Sequence, residues 1–397
     1  MTALTRVIRQ TPVKRLRSYF NGRFGRDKIE SGAVPGWFGK EFFAPHVLLK
    51  SISELDPEVH AAMAMDFDRV FDMTDEPGQQ AIIGLLRDQD EWQALENPYD
   101  RAMWLFVNDE KRFRRAEEVR YADHNRQGRR WAGFSGPASK PISRSIEHCR
   151  EFEEAICSLF NSQQAHLELY DRVRFGLQGE LFPLTQAVVY REGLPNGRLE
   201  FENGKLAVRP YRPVLEAVIT YDSSTGTIEV VGQDSKSRPR LARLFAEHIL
   251  RQRIMGIFMP MREYDLSSLR IPRRFPTDPK DGISHVQVMS ITMNHKDIPH
   301  ASFIIDLKQQ CQLTPYEFSN QGLAGGDPFG KKEFQICQAV ISVHFRPDRT
   351  NRRGKIITLK LTLPNGCDLK GKIEKERLVC EKYLPAWGLV KKGKNHG

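Results

Sequence analysis

Forty residues, Val214 to Arg253, limit the architecture of this chain more than any other stretch. Glu216–Tyr221 and Thr227–Val231 are strand-like runs on either side of a turn rich in Ser, Thr and Gly, an arrangement that reads as a β-hairpin. Just beyond it, Leu241, Leu244, Phe245, His248 and Ile249 recur at i, i+3, i+4, i+7 and i+8, on one face of a helix. Ser237 as cap and Pro239 in the first turn open that helix, expected over Pro239–Arg251. Between hairpin and helix, residues 232–240 (GQDSKSRPR) are polar and basic. Backbone N–H groups at a helix start suit an anion such as phosphate, and Lys236, Arg238 and Arg240 are the expected contacts.

The hairpin has company upstream. AVVYREGL and RLEFENGKLAVRPY alternate apolar and polar residues around an Asn-Gly turn, so residues 176–261 are expected to form a central antiparallel sheet with one face covered by the helix. Residues 46–175 are read as a helical domain ending in a basic loop. Asp56-Pro57 opens a helix with Val59, Met63, Phe67, Val70 and Phe71 on one face, Ser143–Phe160 turns Ile146, Cys149, Phe152, Ile156 and Phe160 inward, and His166–Phe175 is a helical bridge. Residues 262–285 form a Pro- and charge-rich linker. Residues 286–397 form a β-rich domain, with strands at Val286–Met293, Ser302–Leu307, Glu333–Phe345 and Lys355–Leu363, a final helix at Lys372–Tyr383 and a basic tail. The expected fold class is α+β: an N-terminal helical domain followed by antiparallel sheets covered by helices. GxGxxG and GxxxxGK[ST] are both absent, which removes the Rossmann and P-loop nucleotide sites.

Charge is distributed unevenly about a formal total of +10. Residues 1–45 carry nine Lys/Arg against three Asp/Glu, and residues 345–397 carry fourteen against five. Residues 46–119 reverse the balance, with seventeen acidic and eight basic side chains. Basic ends around an acidic middle point to a polyanion at the ends and a protein partner on the acidic helices. The first segment reads as a basic, aromatic arm, in which Arg6, Arg9, Lys14, Arg15 and Arg17 take phosphates while PGWFGKEFFAP anchors on the body. A second cluster, Arg112, Arg114, Arg115, Arg129 and Arg130, lies in and after a charged helix, its latter part read as a loop from Gly128, Gly133, Gly136 and Pro137. The third, Arg349, Arg352, Arg353 and Lys355, reads as the basic tip of a hairpin between two long strands.

Six cysteines without a CxxC pair fit a reducing cytosol, and no run approaches the roughly 20 apolar residues of a bilayer span. The expected location is cytoplasmic, with an Arg-rich start that also suits an organellar transit peptide. His295, Asp297 and His300 have the donor types of a metal site but loop spacing, so no metal is assigned. Asp222, Glu229, Asp234 and Lys236 approach the two carboxylates and one Lys of a metal-dependent nuclease, which would need Mg or Mn. Asp222 falls at the hairpin turn and Asp234 beyond the strand end, so the spacing disfavours one site. No G-x-S-x-G elbow or local Cys signature offers a nucleophile.

The function expected from these features is a non-catalytic, nucleic-acid-binding subunit of a larger cytosolic assembly, in the manner of prokaryotic antiviral-defence or mobile-element machinery, without a cofactor. A metal-dependent nuclease or phosphoryl-transfer enzyme and a protein-only scaffold are the alternatives.

Overall fold

A computed structural model of the chain describes residues 2–30, 44–86, 92, 94–126, 128–175, 180–254, 258–259, 263–308, 311, 313–322, 327–347, 354–369 and 374–391. The fold is α+β, and the chain divides into two compact units, Met1–Phe258 and Met259–Gly397.

The first unit begins with helices α1 (Ala3–Gln10), α2 (Val13–Glu30), α3 (Pro45–Ser53), α4 (Pro57–Asp72), α5 (Glu76–Ile83), α6 (Pro98–Asn108) and α7 (Glu110–Asn125). Their starts follow from local chemistry. Asp56, Asp75, Asn97 and Asp109 accept hydrogen bonds from first-turn N–H groups, and α4, α5 and α6 place a proline where no N–H partner exists to be lost. Residues 3–30, expected as an arm, are instead two helices whose Val7 and Phe20 are fully buried. The reason is apolar spacing within the basic sequence: Val7, Ile8, Leu16, Tyr19 and Phe20 join Met63, Phe67, Leu105 and Phe113 in one core. Residues 35–43 of PGWFGKEFFAP lie outside the described residues.

A six-stranded sheet follows in the order β2-β3-β6-β7-β1-β8, built from β1 (Trp131–Ser135), β2 (Ala165–Phe175), β3 (Leu181–Glu192), β6 (Val214–Asp222), β7 (Thr227–Gly232) and the short β8 (Phe258–Met259). Helix α8 (Ile146–Phe160) and α9 (Ser237–Leu244), which runs on into a π-helical turn at Phe245–Ile249, cover one face through Phe152, Ile156, Leu241, Phe245 and Ile249. The helical layer covers the other face, where Tyr170, Val188 and Val218 enter its core. Ile146, expected to face inward, is 88% exposed at the first position of α8.

Burial on both faces explains two corrections. Residues 165–175 are strand β2, paired with β3 at eleven successive positions, and not a helical bridge. Leu167 faces the α8–α9 core while Tyr170 and Arg172 are buried against the helices, so the period-2 pattern that identifies a half-exposed strand is blurred. Residues 131–135, expected as loop, are strand β1 against β7. β4 (Asn196–Glu202) and β5 (Lys205–Tyr211) form a separate two-stranded ribbon, with Leu199, Phe201, Leu206 and Val208 together on an exposed face.

The β6–β7 hairpin itself lies as expected, from Asp222↔Thr227 to Ala217↔Gly232. Gly226 in its turn has φ +72, and a Cβ there would stand 2.5 Å from the Gly136 carbonyl oxygen, which no backbone contact tolerates. That approach is held by Gly136 N–H donating to Gly226 O at 2.8 Å and Ser139 N–H to Ser223 O at 2.7 Å. Gly226→Ala is therefore expected to cost about 1–2 kcal/mol from backbone handedness alone, plus the cost of opening the contact. Chemical denaturation of the variant checks this; an unchanged midpoint would show that the turn relaxes freely.

The second unit is a five-stranded antiparallel sheet, β10-β9-β11-β12-β13, formed by β9 (Ile283–His295), β10 (Ser302–Asp306), β11 (Phe334–Phe345), β12 (Lys355–Thr362) and β13 (Gly366–Cys367). Helices α10 (Pro315–Gly322) and α11 (Glu374–Ala386) complete it. Of residues 262–285, read as linker, Leu266 and Leu269 enter its interior and 283–285 begin β9, while Trp387 donates its indole N–H to Pro276 O at 3.0 Å.

Candidate nucleic-acid interface

Most arginines near the sheet already face a carboxylate. Helix α7 packs on the sheet with Phe113, Ala116, Val119 and Ala122 buried, touching β6, and its charged residues meet side chains of β2 and β3 in a polar layer. Arg172 reaches Asp123 with two hydrogen bonds of 2.8 and 2.9 Å, and Arg174 joins Asp123 at 2.8 Å to Glu229 at 3.1 Å. Arg126 completes the group at 2.6 Å from Glu229. Burial alone would raise the Asp123 carboxyl, but Arg172 and Arg174 outweigh it and hold the group far below the carboxylate range. Glu229 behaves likewise, with burial opposed and exceeded by Arg126 and Arg174. Beside this group Tyr170 and Tyr190 donate their hydroxyls to Glu118, whose carboxyl is raised by burial against those hydrogen bonds.

This layer absorbs part of the second basic cluster. Arg114 pairs with Glu168 and lies 5.6 Å from the Tyr190 ring, Arg115 stacks 4.8 Å from the Tyr170 ring, and Arg112 stands 3.3 Å from Asp109. It also occupies Glu229, one of the four residues considered for metal catalysis. The others are not brought to it. Asp222 accepts from Ser224 N and Oγ at 2.9 and 2.6 Å in the hairpin turn, while Asp234 accepts from Lys236 N at 3.0 Å past the opposite end. Six strand pairs lie between those ends, and their five steps span about 16 Å at roughly 3.3 Å per residue. Among the described residues no group of three or more His, Cys, Asp and Glu is placed to hold a metal ion.

Arg238 is an interior residue. It is 7% exposed, donates to Gly232 O at 3.0 Å and to Trp131 O at 3.1 Å, and so stitches the start of α9 to the ends of β7 and β1. Its burial lowers the guanidinium pKa, outweighing the opposing pull of the Asp234 carboxylate. The stitch has a consequence for its neighbours. Gly232 N–H also donates to Arg130 O at 2.9 Å, so exposed Arg129 and Arg130 before β1 come to the same end of the sheet as exposed Lys236 and Arg240 after β7. Two clusters more than a hundred residues apart in sequence thus become one ridge. Asp234, the carboxylate on that connector, is engaged by Lys236 N and Ser237 Oγ and lies beside Arg191.

The remaining candidates are dispersed. Arg6, Arg9 and Lys14 are exposed on α1 and α2, Arg6 lying 5.5 Å from the Phe71 ring. Arg15 is bound to Asp100 at 2.7 Å, and Arg17 is half-buried. In the second unit Lys355 pairs with Glu376, while Arg349, Arg352 and Arg353 lie outside the described residues. His295 is committed to its own turn, its Nδ1 accepting from Asp297 N and Ile298 N at 3.1 Å each. Sequence reasoning missed Asp123, Arg172, Arg174, Glu118, Tyr170 and Tyr190. The one local signal for them was Arg172 and Arg174 two apart in DRVRF, on one face of any strand.

No model of a known protein family matches the chain, and no curated protein matches it. Among the described residues no helix is long and apolar enough to cross a membrane.

Proposed function

We propose that this chain is a non-catalytic nucleic-acid-binding subunit of a larger cytoplasmic assembly, gripping phosphates through the ridge of Arg129, Arg130, Lys236 and Arg240. One observation carries the reading. These four cations are exposed on segments that meet at one end of the sheet, and none makes a salt bridge among the described residues, whereas Arg15, Arg69, Arg120, Arg126, Arg172 and Arg174 all face carboxylates. A guanidinium already bound to a carboxylate must break that pair to reach a phosphate; an exposed one only exchanges water and counterions. Sequence-independent contact of this kind matches the absence of base-reading elements such as an RNP strand or a zinc finger in the sequence. The acidic helices of residues 46–119 are the proposed docking face for a protein partner.

Binding of labelled duplex and single-stranded DNA to the full chain, measured from 50 to 300 mM salt, tests the proposal. The expected log–log slope is about −3.6 for duplex and about −2.8 for single strand, from four phosphates at roughly 0.9 and 0.7 each. A flat slope, or no binding at the lowest salt, removes it.

A further inference from the structure

A cleft of about 570 Å³ opens in the first unit where the end of α5, the first turns of α7 and strand β2 meet, away from the ridge. Its edge exists because Gly84 caps α5 against β2: Val173 N–H donates to Gly84 O at 2.9 Å, and a Cβ on Gly84 would stand 2.5 Å from Val173 O. The lining is divided by chemistry. Leu85, Leu86 and Pro183 give it an apolar side, and Arg112, Arg115 and Arg144 give it a cationic one.

We propose that this cleft binds a small organic phosphate of nucleotide size, with its phosphate on Arg112, Arg115 and Arg144 and its organic part against the apolar side. Each of the three guanidinium groups has one carboxylate beside it, which a phosphate must displace. Arg112 is 3.3 Å from Asp109 with both side chains more than a third exposed, and Arg144 pairs with Asp171, whose side chain is 71% exposed. Arg115 stands 3.6 Å from Glu168, beyond a hydrogen bond, and its buried Nε has no hydrogen-bond partner. The exposed Arg112–Asp109 and Arg144–Asp171 pairs are weak, while a phosphate offers several acceptors to the planar N–H forks at once.

The wall behind adds a second argument. Arg172 also lines the cleft with a side chain 0% exposed and an Nε that lacks a hydrogen-bond partner. Its ion group sets Arg126, Arg172 and Arg174 against Asp123 and Glu229, with buried Glu118 beside it on Tyr170 and Tyr190, so the positive character of the cleft comes from its lining arginines and not from a surplus behind them. Against this stand Asp171 at the rim and Glu168 beside Arg115; the first competes directly for Arg144. The volume is within the range of small-molecule sites, and a lone inorganic phosphate would leave most of it unfilled.

Calorimetric titration of the full chain with AMP, inorganic phosphate and adenosine tests the assignment. AMP is expected to bind at one site, inorganic phosphate at least 10-fold more weakly, and adenosine more weakly still. Arg144→Ala, an exposed position, should weaken AMP at least 10-fold. Asp171→Asn should tighten it several-fold by removing the competing carboxylate, a gain that structural damage does not produce. Binding should persist when Arg129, Arg130, Lys236 and Arg240 are replaced by alanine, which separates this site from the ridge. Equal binding of adenosine and AMP, an Asp171→Asn variant that binds more weakly, or loss of AMP only in the ridge variant would each overturn it.

Discussion

Asp123→Asn is expected to destabilise the first unit by about 3–5 kcal/mol, the usual cost of removing one partner from a buried ion group. The amide keeps the shape of the carboxylate but withdraws its charge and turns an N–H₂ donor toward other donors. Arg172, with a side chain 0% exposed, would then lose its carboxylate partner, and Arg174, 17% exposed, would share Glu229 with Arg126. Glu154→Gln supplies the contrast. Its partner Arg150 is 3.5 Å away and both side chains are 70% exposed, so the change should stay within about 0.5 kcal/mol. Urea unfolding measures both, and a loss below about 1 kcal/mol for Asp123→Asn would mean that water reaches the group.

The same variant carries a pH signature. Asp123 and Glu229 are depressed in the folded chain, so at acid pH the unfolded chain binds the protons first and stability falls as pH falls. Their contribution is fully present above the ordinary carboxylate range, about pH 5, and is lost progressively below about pH 4. Glu118 has the opposite sign: its raised carboxyl favours the folded state as pH falls through the raised value. Wild type should therefore lose stability steeply below pH 4, and Asp123→Asn should show a shallower acid limb. Parallel limbs would show that Asp123 is not depressed.

Replacing Arg129, Arg130, Lys236 and Arg240 together by alanine is expected to weaken duplex binding by on the order of 100-fold at near-physiological salt and to flatten the log–log salt slope by about 3 to 4. Stability should barely change, because all four side chains are exposed. Arg238→Ala behaves differently, since it removes donors to Gly232 O and Trp131 O and so acts on folding. A slope that survives the fourfold change would place the phosphate contacts elsewhere, with Arg6, Arg9 and Lys14 next to be tested.

Legibility in the sequence followed exposure. The C-terminal strands lie within three residues of their expected limits, and the β6–β7 hairpin within two, because turns and alternation mark them locally. Strand β2 was hidden by burial on both faces. Helices α1 and α2 were obscured by Arg and Lys lying among the apolar positions that enter the core. For the ridge, Lys236 and Arg240 were legible as an anion-contacting loop and Arg129 and Arg130 as a separate cluster, but their meeting was not. Arg238, in the same basic connector, is buried by hydrogen bonds to carbonyls that no local pattern specifies.

The sequence by itself determined where strands and helices begin around residues 214–253, that the fold is α+β, and where positive charge is concentrated. Periodicity and turn chemistry act between residues a few positions apart, so a linear reading can recover them. Only the tertiary structure decided which charges are matched. Asp123 meets Arg172 across 49 residues and Arg126 meets Glu229 across 103, through the packing of α7 on the sheet. That packing fixes the ion pairs at contact distance, where Coulomb attraction exceeds desolvation, and leaves Arg129, Arg130, Lys236 and Arg240 in solvent.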